Sequence, residues 1–119
     1  MTFMRLHHAT FTMPVGAEDE ARAFYAGVLG LTPVPKPATM RQVGCWFRTG
    51  GLEVHGLPED DFRPNRVSHP AILVNDLDAL AARLDAHGIP YVMNGDYPGH
   101  CRFHTHDCFG NQLEFLQEI

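Results

Sequence analysis

The chain of 119 residues is poor in cysteine, has no long hydrophobic run and has no excess of basic residues. Cys45, Cys101 and Cys108 are odd in number and lack a CxxC spacing, so we expect neither a disulfide framework nor a cysteine zinc site. Nine Lys and Arg stand against fourteen Asp and Glu, which predicts no nucleic-acid partner. No apolar stretch approaches the roughly 18 residues of a membrane span, so we expect no membrane insertion.

The beginning of the sequence also lacks a recognisable export signal. The residues Met1-Thr-Phe-Met-Arg do not supply a charged end followed by an apolar run of about 7–15 residues. Three free thiols without such a signal are typical of a reducing compartment. We therefore expect a cytoplasmic protein.

What the chain does have is an internal duplication. Apolar residues recur at helical spacing over 17–29 and 77–87, and Gly30 and Gly88 are placed to end these two helices. Short strands are predicted over 5–12, 31–35, 41–48 and 51–56 in the first half, and over 68–74, 89–93, 101–106 and 111–117 in the second. The sequence thus predicts a single α+β domain of two βαβββ modules, at about 5–57 and 67–119, joined by a loop at 58–66.

Two chemically matched pairs share one offset between these modules. A shift of 61 residues aligns His8 with His69 and Glu53 with Glu114. Because side chains alternate across a strand, Leu52 and Val54 point to one face while Glu53 and His55 point to the other. The apolar face is expected to pack under the helices, which leaves the His and Glu side chains on the opposite, concave face.

These positions predict a metal site. Imidazole and carboxylate donors without cysteine suit a divalent ion such as Zn, Ni, Fe(II) or Mn, and two His with one carboxylate leave coordination sites open. We predict one divalent ion in each cup, the concave side of the sheet, with His8, His69 and Glu114 as ligands and Glu53 as a fourth candidate. A solvated glutamate or a hydrogen-bonded histidine is the alternative reading of each position taken alone.

Four further segments carry a recognisable pattern: Leu6-His7-His8-Ala9, Arg22 to Leu31, His69 to Asp78, and Phe109 to Glu114. They resemble the vicinal oxygen chelate superfamily, which holds glyoxalase I, extradiol dioxygenases, fosfomycin-resistance proteins and bleomycin-resistance proteins. The resemblance implies a curved mixed sheet with a concave cup, helices on its outer face, and a homodimer in which modules pair. It also implies that His8, His69 and Glu114 bind the ion, and that Glu53 occupies the position of a fourth ligand that doubles as catalytic base.

The expected function is that of a metal-dependent enzyme whose small-molecule substrate chelates the ion through adjacent oxygens. Glu53 and Glu114 are the expected catalytic residues, and the chemistry is that of an isomerase or lyase, or of a dioxygenase. The alternative is a metal-free protein that sequesters a ligand, as bleomycin-resistance proteins do. In the last turn Cys108 replaces the proline that the family usually carries, although Gly110 is kept.

Four further residues are candidates for contact with the substrate: His55, Trp46, Arg102 and His104. His55 is also a candidate to share the role of Glu53. His104 belongs to a histidine cluster with His100 and His106, which is open to reading as an independent metal site, a substrate-contacting edge or a solvated strand face. Arg102 on the same strand is expected to hold an anionic group or to be solvated.

Overall fold

The duplicated βαβββ arrangement is confirmed by the structure, a computed structural model that describes residues 1–119. The first module contains β1 (Ala9–Pro14), α1 (Glu18–Arg22) with a π-helical segment (Ala23–Val28), β2 (Pro33–Val34), β3 (Cys45–Thr49) and β4 (Leu52–Glu59). The second contains β5 (Ala71–Leu73), α2 (Leu77–Ala86), β6 (Val92–Met93), β7 (His100–His106) and β8 (Gln112–Glu118). No helix is long and apolar enough to span a membrane.

Each module forms its own four-stranded mixed sheet. The strand orders are β1-β4-β3-β2 and β5-β8-β7-β6, so the two sheets have the same topology. In each, the first and last strands of the module pair in parallel and the remaining neighbours are antiparallel. The sheets are open rather than closed into a barrel, and in each module the last strand lies in the interior of its sheet.

The first helix differs from the single α-helix predicted over 17–29. Its second half has the wider π-helical winding, in which the Leu29 N–H donates to the Phe24 carbonyl at 3.0 Å. Hydrophobic periodicity cannot distinguish the two windings, because Phe24, Tyr25 and Val28 share one side in both. The second helix follows the prediction closely: the Asp76 side chain accepts from the Ala79 N–H at 2.9 Å as its N-cap.

Several strand boundaries also differ from the prediction. β5 covers only Ala71–Leu73 rather than 68–74, which leaves His69 just before the strand. Residues 5–8 lie outside β1, which begins at Ala9, and β4 continues through Pro58 beyond the predicted end of the first module. β3 pairs with β4 only as far as Gly56, so one side of β4 is unpaired at Pro58. An unpaired side is where a strand tolerates proline, which has no N–H to donate.

The two modules differ in strand register by two residues. In the first module Ala9 pairs with Val54, so His8 continues the register beside Glu53. In the second, Ala71 pairs with Glu114, and His69 lies two residues earlier. The offset of 61 that aligns the glutamates therefore does not align the first strands. Because the shift is even, His69 remains on the same face of its sheet as Glu114.

The helix-facing sides of both sheets share one hydrophobic core. Phe11, Tyr25 and Phe47 from the first module and Phe103 and Leu113 from the second are buried in it. Between the modules the core leaves an apolar cavity of about 200 Å³, lined by 16 residues of which 13 are hydrophobic. None of the predicted metal ligands lines this cavity, so the predicted metal site lies outside it.

A buried polar contact joins the two modules inside this core. The Tyr25 hydroxyl donates to Asp107 Oδ2 at 2.6 Å, and the Asn111 side chain donates to the Thr12 carbonyl at 2.8 Å. Burial and the neighbouring Asp107 carboxylate raise the pKa of Tyr25 well above its usual value, so the phenol remains a donor. Gly110 adopts a φ of +89° in this turn, as expected for a turn kept without its proline.

Candidate metal centre

Glu114 lies at the centre of a polar group on the second sheet. It sits in β8 between β5 and β7, and only 5% of the residue is exposed. Its neighbours Leu113 and Phe115 point into the core, so strand alternation directs the Glu114 carboxylate to the opposite face. His104 lies directly across from it on β7.

The Glu114 carboxylate contacts three side chains. Oε1 is 3.0 Å from His69 Nε2 and 3.2 Å from His104 Nε2, and Oε2 accepts from Arg102 Nη1 at 3.1 Å. Arg102 also donates through Nη2 to Asp96 Oδ1 at 2.6 Å. We call His69, His104, Glu114 and Arg102 the second-module cluster.

The charge of this cluster is fixed by its contacts. Burial raises the pKa of Glu114, but hydrogen bonds from His69 and Arg102 outweigh that effect and leave the pKa below its usual value. Hydrogen bonds to Asp96 and Glu114 raise the pKa of the Arg102 guanidinium. Glu114 is therefore an ionised carboxylate at neutral pH.

His69 has the hydrogen bonding expected of a metal ligand. Its Nδ1 is 2.7 Å from the Val67 carbonyl, an acceptor, so Nδ1 must carry a proton. In the neutral imidazole Nε2 then presents a lone pair, and it faces a carboxylate oxygen at 3.0 Å. Two ligands each about 2.1 Å from one ion lie roughly 3.0–3.4 Å apart for bond angles between octahedral and tetrahedral values. Distance and donor chemistry therefore fit a divalent ion between His69 and Glu114.

Glu53 occupies the matching place on the first sheet, but its contacts are different. Oε1 accepts from Arg48 Nε at 2.8 Å, and Oε2 is 2.8 Å from His55 Nε2. The hydrogen bonds from Arg48 and then from His55 lower the pKa of Glu53 to about 2. Both carboxylate oxygens are thus already paired. We call Glu53, Arg48, His55, His7 and His8 the first-module cluster.

His55 is held between two aromatic rings. It stacks on Trp46 and on His8, each with a centroid separation of 4.0 Å. Burial lowers the pKa of His55, which outweighs the opposite effect of its hydrogen bond to Glu53, so the imidazole is neutral at neutral pH. A pocket of about 430 Å³ opens over these side chains, with Lys36 and Leu57 also in its lining.

The structure brings the predicted ligands together in pairs rather than as one set of four. His8 lies with Glu53, and His69 lies with Glu114. Each pair is joined by a further histidine, His7 in the first group and His104 in the second. The donor atoms of each group lie within 4.8 Å of one another. The assignment of the ligands stays a prediction.

Of the predicted substrate contacts, His55 and Trp46 line the first-module pocket, whereas Arg102 and His104 belong to the second-module cluster. Arg102 is neither solvated nor free for a substrate anion in this structure, because it already contacts two carboxylates.

Two members of these clusters were not predicted: Arg48, which pairs with Glu53, and Asp96, which pairs with Arg102. Arg48 was within reach of sequence reasoning. Gly50 and Gly51 form a two-residue turn between β3 and β4, a common hairpin signal that places Arg48 opposite Glu53. Asp96 lies in an irregular segment before β7, and its spacing carries no such signal.

A family model described as the Glyoxalase/Bleomycin resistance protein/Dioxygenase superfamily matches residues 5–115. The chain belongs to this superfamily. A solved structure described as a putative glyoxalase family protein from Bacillus anthracis is 35% identical in sequence, with a TM-score of 0.95, and the match covers 100% of this chain and 98% of that one. This superfamily contains metal-dependent enzymes as well as ligand-binding proteins, so membership leaves the specific activity open.

More distant superfamily members share the fold. A mutant of the fosfomycin resistance protein FosX from Listeria monocytogenes, solved with Mn(II) and 1S,2S-dihydroxypropylphosphonic acid, is 14% identical with a TM-score of 0.78, over 99% of this chain and 95% of that one. The antibiotic binding protein TnmS3 from a Streptomyces species is 17% identical with a TM-score of 0.75, over 99% and 100%. Glyoxylase I 4 of Arabidopsis thaliana is 28% identical over 82 residues, which span 62% of this chain but only 47% of the plant protein.

Proposed function

We propose that this superfamily member is a divalent-metal-dependent enzyme whose small-molecule substrate binds the ion through two adjacent oxygens. The observation that carries the proposal is the orientation of His69. Its Nδ1 donates to the Val67 carbonyl, so its Nε2 is the nitrogen directed at the ionised Glu114 carboxylate, 3.0 Å away. A lone pair facing a carboxylate repels it unless a proton or a cation lies between them. FosX, which shares the fold, was solved with Mn(II).

His69 and Glu114 would hold the ion, with His8 as the further predicted ligand. When bound, a divalent ion supplies Lewis-acid stabilisation of negative charge on a substrate oxygen. Arg102 holds Glu114 Oε2 and thereby fixes the orientation of the carboxylate. Such outer contacts orient ligands and typically change ion affinity by about 10–100-fold when removed.

The Glu53–His55 pair is the proposed proton-accepting group. The His55 imidazole is neutral at neutral pH, and its Nε2 is 2.8 Å from Glu53 Oε2. Glu53 remains ionised because Arg48 and His55 hydrogen bond to it. Its negative charge would stabilise the His55 imidazole when that ring accepts a proton. In this role Glu53 acts with His55 rather than as a fourth ligand.

We also propose that the complete site forms in a homodimer. The ligand pairs of one chain lie in two separate groups, and the superfamily resemblance implies pairing between modules of different chains. Apolar side chains are exposed to an extent that supports such pairing: Leu6, Val67, Leu73 and Val92 are each more than half exposed. The first module of one chain would then face the second module of its partner.

Elemental analysis of protein purified without chelators tests the proposal. We expect about one ion per chain in the wild type, and its loss in His69→Ala and Glu114→Gln. His87→Ala is the matched control, because His87 is exposed at the end of α2 and its side chain bonds only the Arg83 carbonyl. Wild-type protein that neither carries nor takes up a divalent ion would favour the alternative, a metal-free protein that sequesters its ligand.

A second measurement tests the two open positions. Co²⁺-loaded protein is titrated with acetohydroxamate, which binds metals through two adjacent oxygens, and with acetate as the monodentate control. We expect a saturable change in the visible Co²⁺ absorption with acetohydroxamate at concentrations where acetate has no effect. Equal responses to both compounds would contradict chelation through adjacent oxygens.

A further inference from the structure

We infer that His104 is a direct ligand of the ion, so that the second module contributes two imidazoles, His69 and His104, and one carboxylate, Glu114, to the metal site. The inference rests on the proposed function, because it concerns the same ion. It changes the role of His104 from a predicted substrate contact to part of the metal site. Two histidines and one carboxylate on one face form the arrangement that leaves adjacent coordination sites open.

The backbone places His104 firmly against Glu114. In the β7–β8 ladder the two residues are direct partners. On the other face of β7, the neighbours Phe103 and Thr105 are fully buried in the core. Phe103 and Thr105 therefore hold β7 in place on both sides of His104, and its imidazole is directed to the polar face by strand alternation.

The contact between His104 and Glu114 is close but is not an ordinary hydrogen bond. His104 Nε2 lies 3.2 Å from Glu114 Oε1, an ion-pair distance, without the geometry of a hydrogen bond. The same oxygen is 3.0 Å from His69 Nε2. Both separations fall within the roughly 3.0–3.4 Å expected between two ligands of one ion. The three donor atoms all lie within 4.8 Å of one another.

Two further features direct the imidazoles to a single oxygen of Glu114. Arg102 occupies Glu114 Oε2, so Oε1 is the oxygen that faces the imidazoles. The rings of His69 and His104 meet edge to face, with centroids 5.5 Å apart and planes at 77°. The Nε2 atoms of both rings lie against the same carboxylate oxygen, Glu114 Oε1. Asp96 at 2.6 Å offsets the charge of Arg102 beside the cation.

The competing role for His104 is that of an outer hydrogen-bond donor to Glu114. The two roles predict different losses of affinity. Removing an outer contact costs about 10–100-fold in metal affinity, whereas removing a ligand should cost more than about 100-fold. Isothermal titration of His104→Gln with Zn²⁺ therefore separates them. His106→Gln is the matched control, since His106 is exposed two residues along the same strand and face.

We expect His104→Gln to lose at least about 100-fold in Zn²⁺ affinity and His106→Gln to keep the wild-type value. A loss of affinity smaller than about 100-fold in a folded His104→Gln protein would overturn the inference while leaving the proposed function standing. If wild-type protein itself binds no Zn²⁺, the proposed function fails first. Circular dichroism of each variant shows whether a lost affinity reflects lost folding.

A gain-of-signal experiment gives an independent answer. In His104→Cys a thiolate replaces the imidazole at the same position, and a thiolate bound to Co²⁺ gives an intense near-ultraviolet charge-transfer band. We expect this band in Co²⁺-loaded His104→Cys and its absence in wild type, whose Cys45, Cys101 and Cys108 provide the background. His106→Cys is the control. A Co²⁺-loaded His104→Cys protein without the band would show that residue 104 does not touch the ion.

Discussion

The two modules place a glutamate at the same position of the same sheet topology but surround it differently. Glu53 has an arginine on one oxygen and a histidine on the other, so its hydrogen bonds are complete within the first module. Glu114 has Arg102 on one oxygen, while its other oxygen faces two imidazoles. The fold supplies the carboxylate in both modules, but the neighbouring strand decides whether it is paired or available to a cation. Cross-strand Arg48 occupies the place that His104 takes in the second module.

The largest expected effect is a difference in Zn²⁺ affinity between variants of the two glutamates. Glu114→Gln should lower Zn²⁺ affinity by at least about 100-fold, because it removes an anionic ligand between two imidazoles. Glu53→Gln should change it by less than about 10-fold, since Glu53 is paired with Arg48 and His55. Isothermal titration of both variants at neutral pH measures the contrast. Similar losses of Zn²⁺ affinity in the two variants would mean that both glutamates bind the ion.

A mixing experiment then tests whether the two modules act across chains. His8→Ala and Glu114→Gln proteins are each expected to respond poorly to acetohydroxamate when loaded with Co²⁺. If sites form between chains, unfolding and refolding the two variants together yields mixed dimers with one intact site, and the response returns. If each site lies within one chain, the mixture stays as poor as its components. Refolded wild type and each variant refolded alone are the controls.

A smaller effect concerns the contact that joins the modules. Tyr25→Phe removes the hydroxyl that donates to buried Asp107 at 2.6 Å, and we expect a loss of about 1–2 kcal/mol in the free energy of unfolding. Asn111 still donates to the same Asp107 oxygen, which limits the loss. Tyr91→Phe is the matched control, because Tyr91 donates to Asp85 at 3.1 Å on the exposed surface of a single module. Urea denaturation compares the two variants. Equal losses in the free energy of unfolding would show that the buried contact stabilises the protein no more than the exposed one.

The smallest effect is the pH dependence of Glu53 in the ion-free protein. Hydrogen bonds from Arg48 and His55 hold its pKa at about 2, below the unfolded value of 4.5. The folded state thus gains stability that is fully present above the unfolded pKa and is lost as the pH falls through about 2. Urea midpoints of wild type and Glu53→Gln should therefore converge on acidification. A difference between them that stays constant down to pH 2 would contradict this account, with exposed Glu118→Gln as the control.

Sequence periodicity was sufficient to predict the two modules, both helices and the faces of the last strands. Those features follow from local patterns: Glu53 alternates with buried Val54, and Gly30 and Gly88 end their helices with positive φ. The contacts that set the chemistry are not local. His104 meets Glu114 only through the β7–β8 register, and Tyr25 meets Asp107 only when the two modules pack. The π-helical winding after Arg22 was not predictable because it buries the same residues as an α-helix.

The two-residue difference in register has a consequence for how such duplicated halves diverge. A slip of one residue would turn His69 toward the helices and away from Glu114, whereas a slip of two keeps it beside Glu114. The two halves can therefore differ in register only by an even number of residues if the His and Glu side chains are to share a face, and the constant offset between the halves is then lost. Equivalent residues in the two halves of a relative are then found by the strand face that they share, because their sequence spacing is not constant.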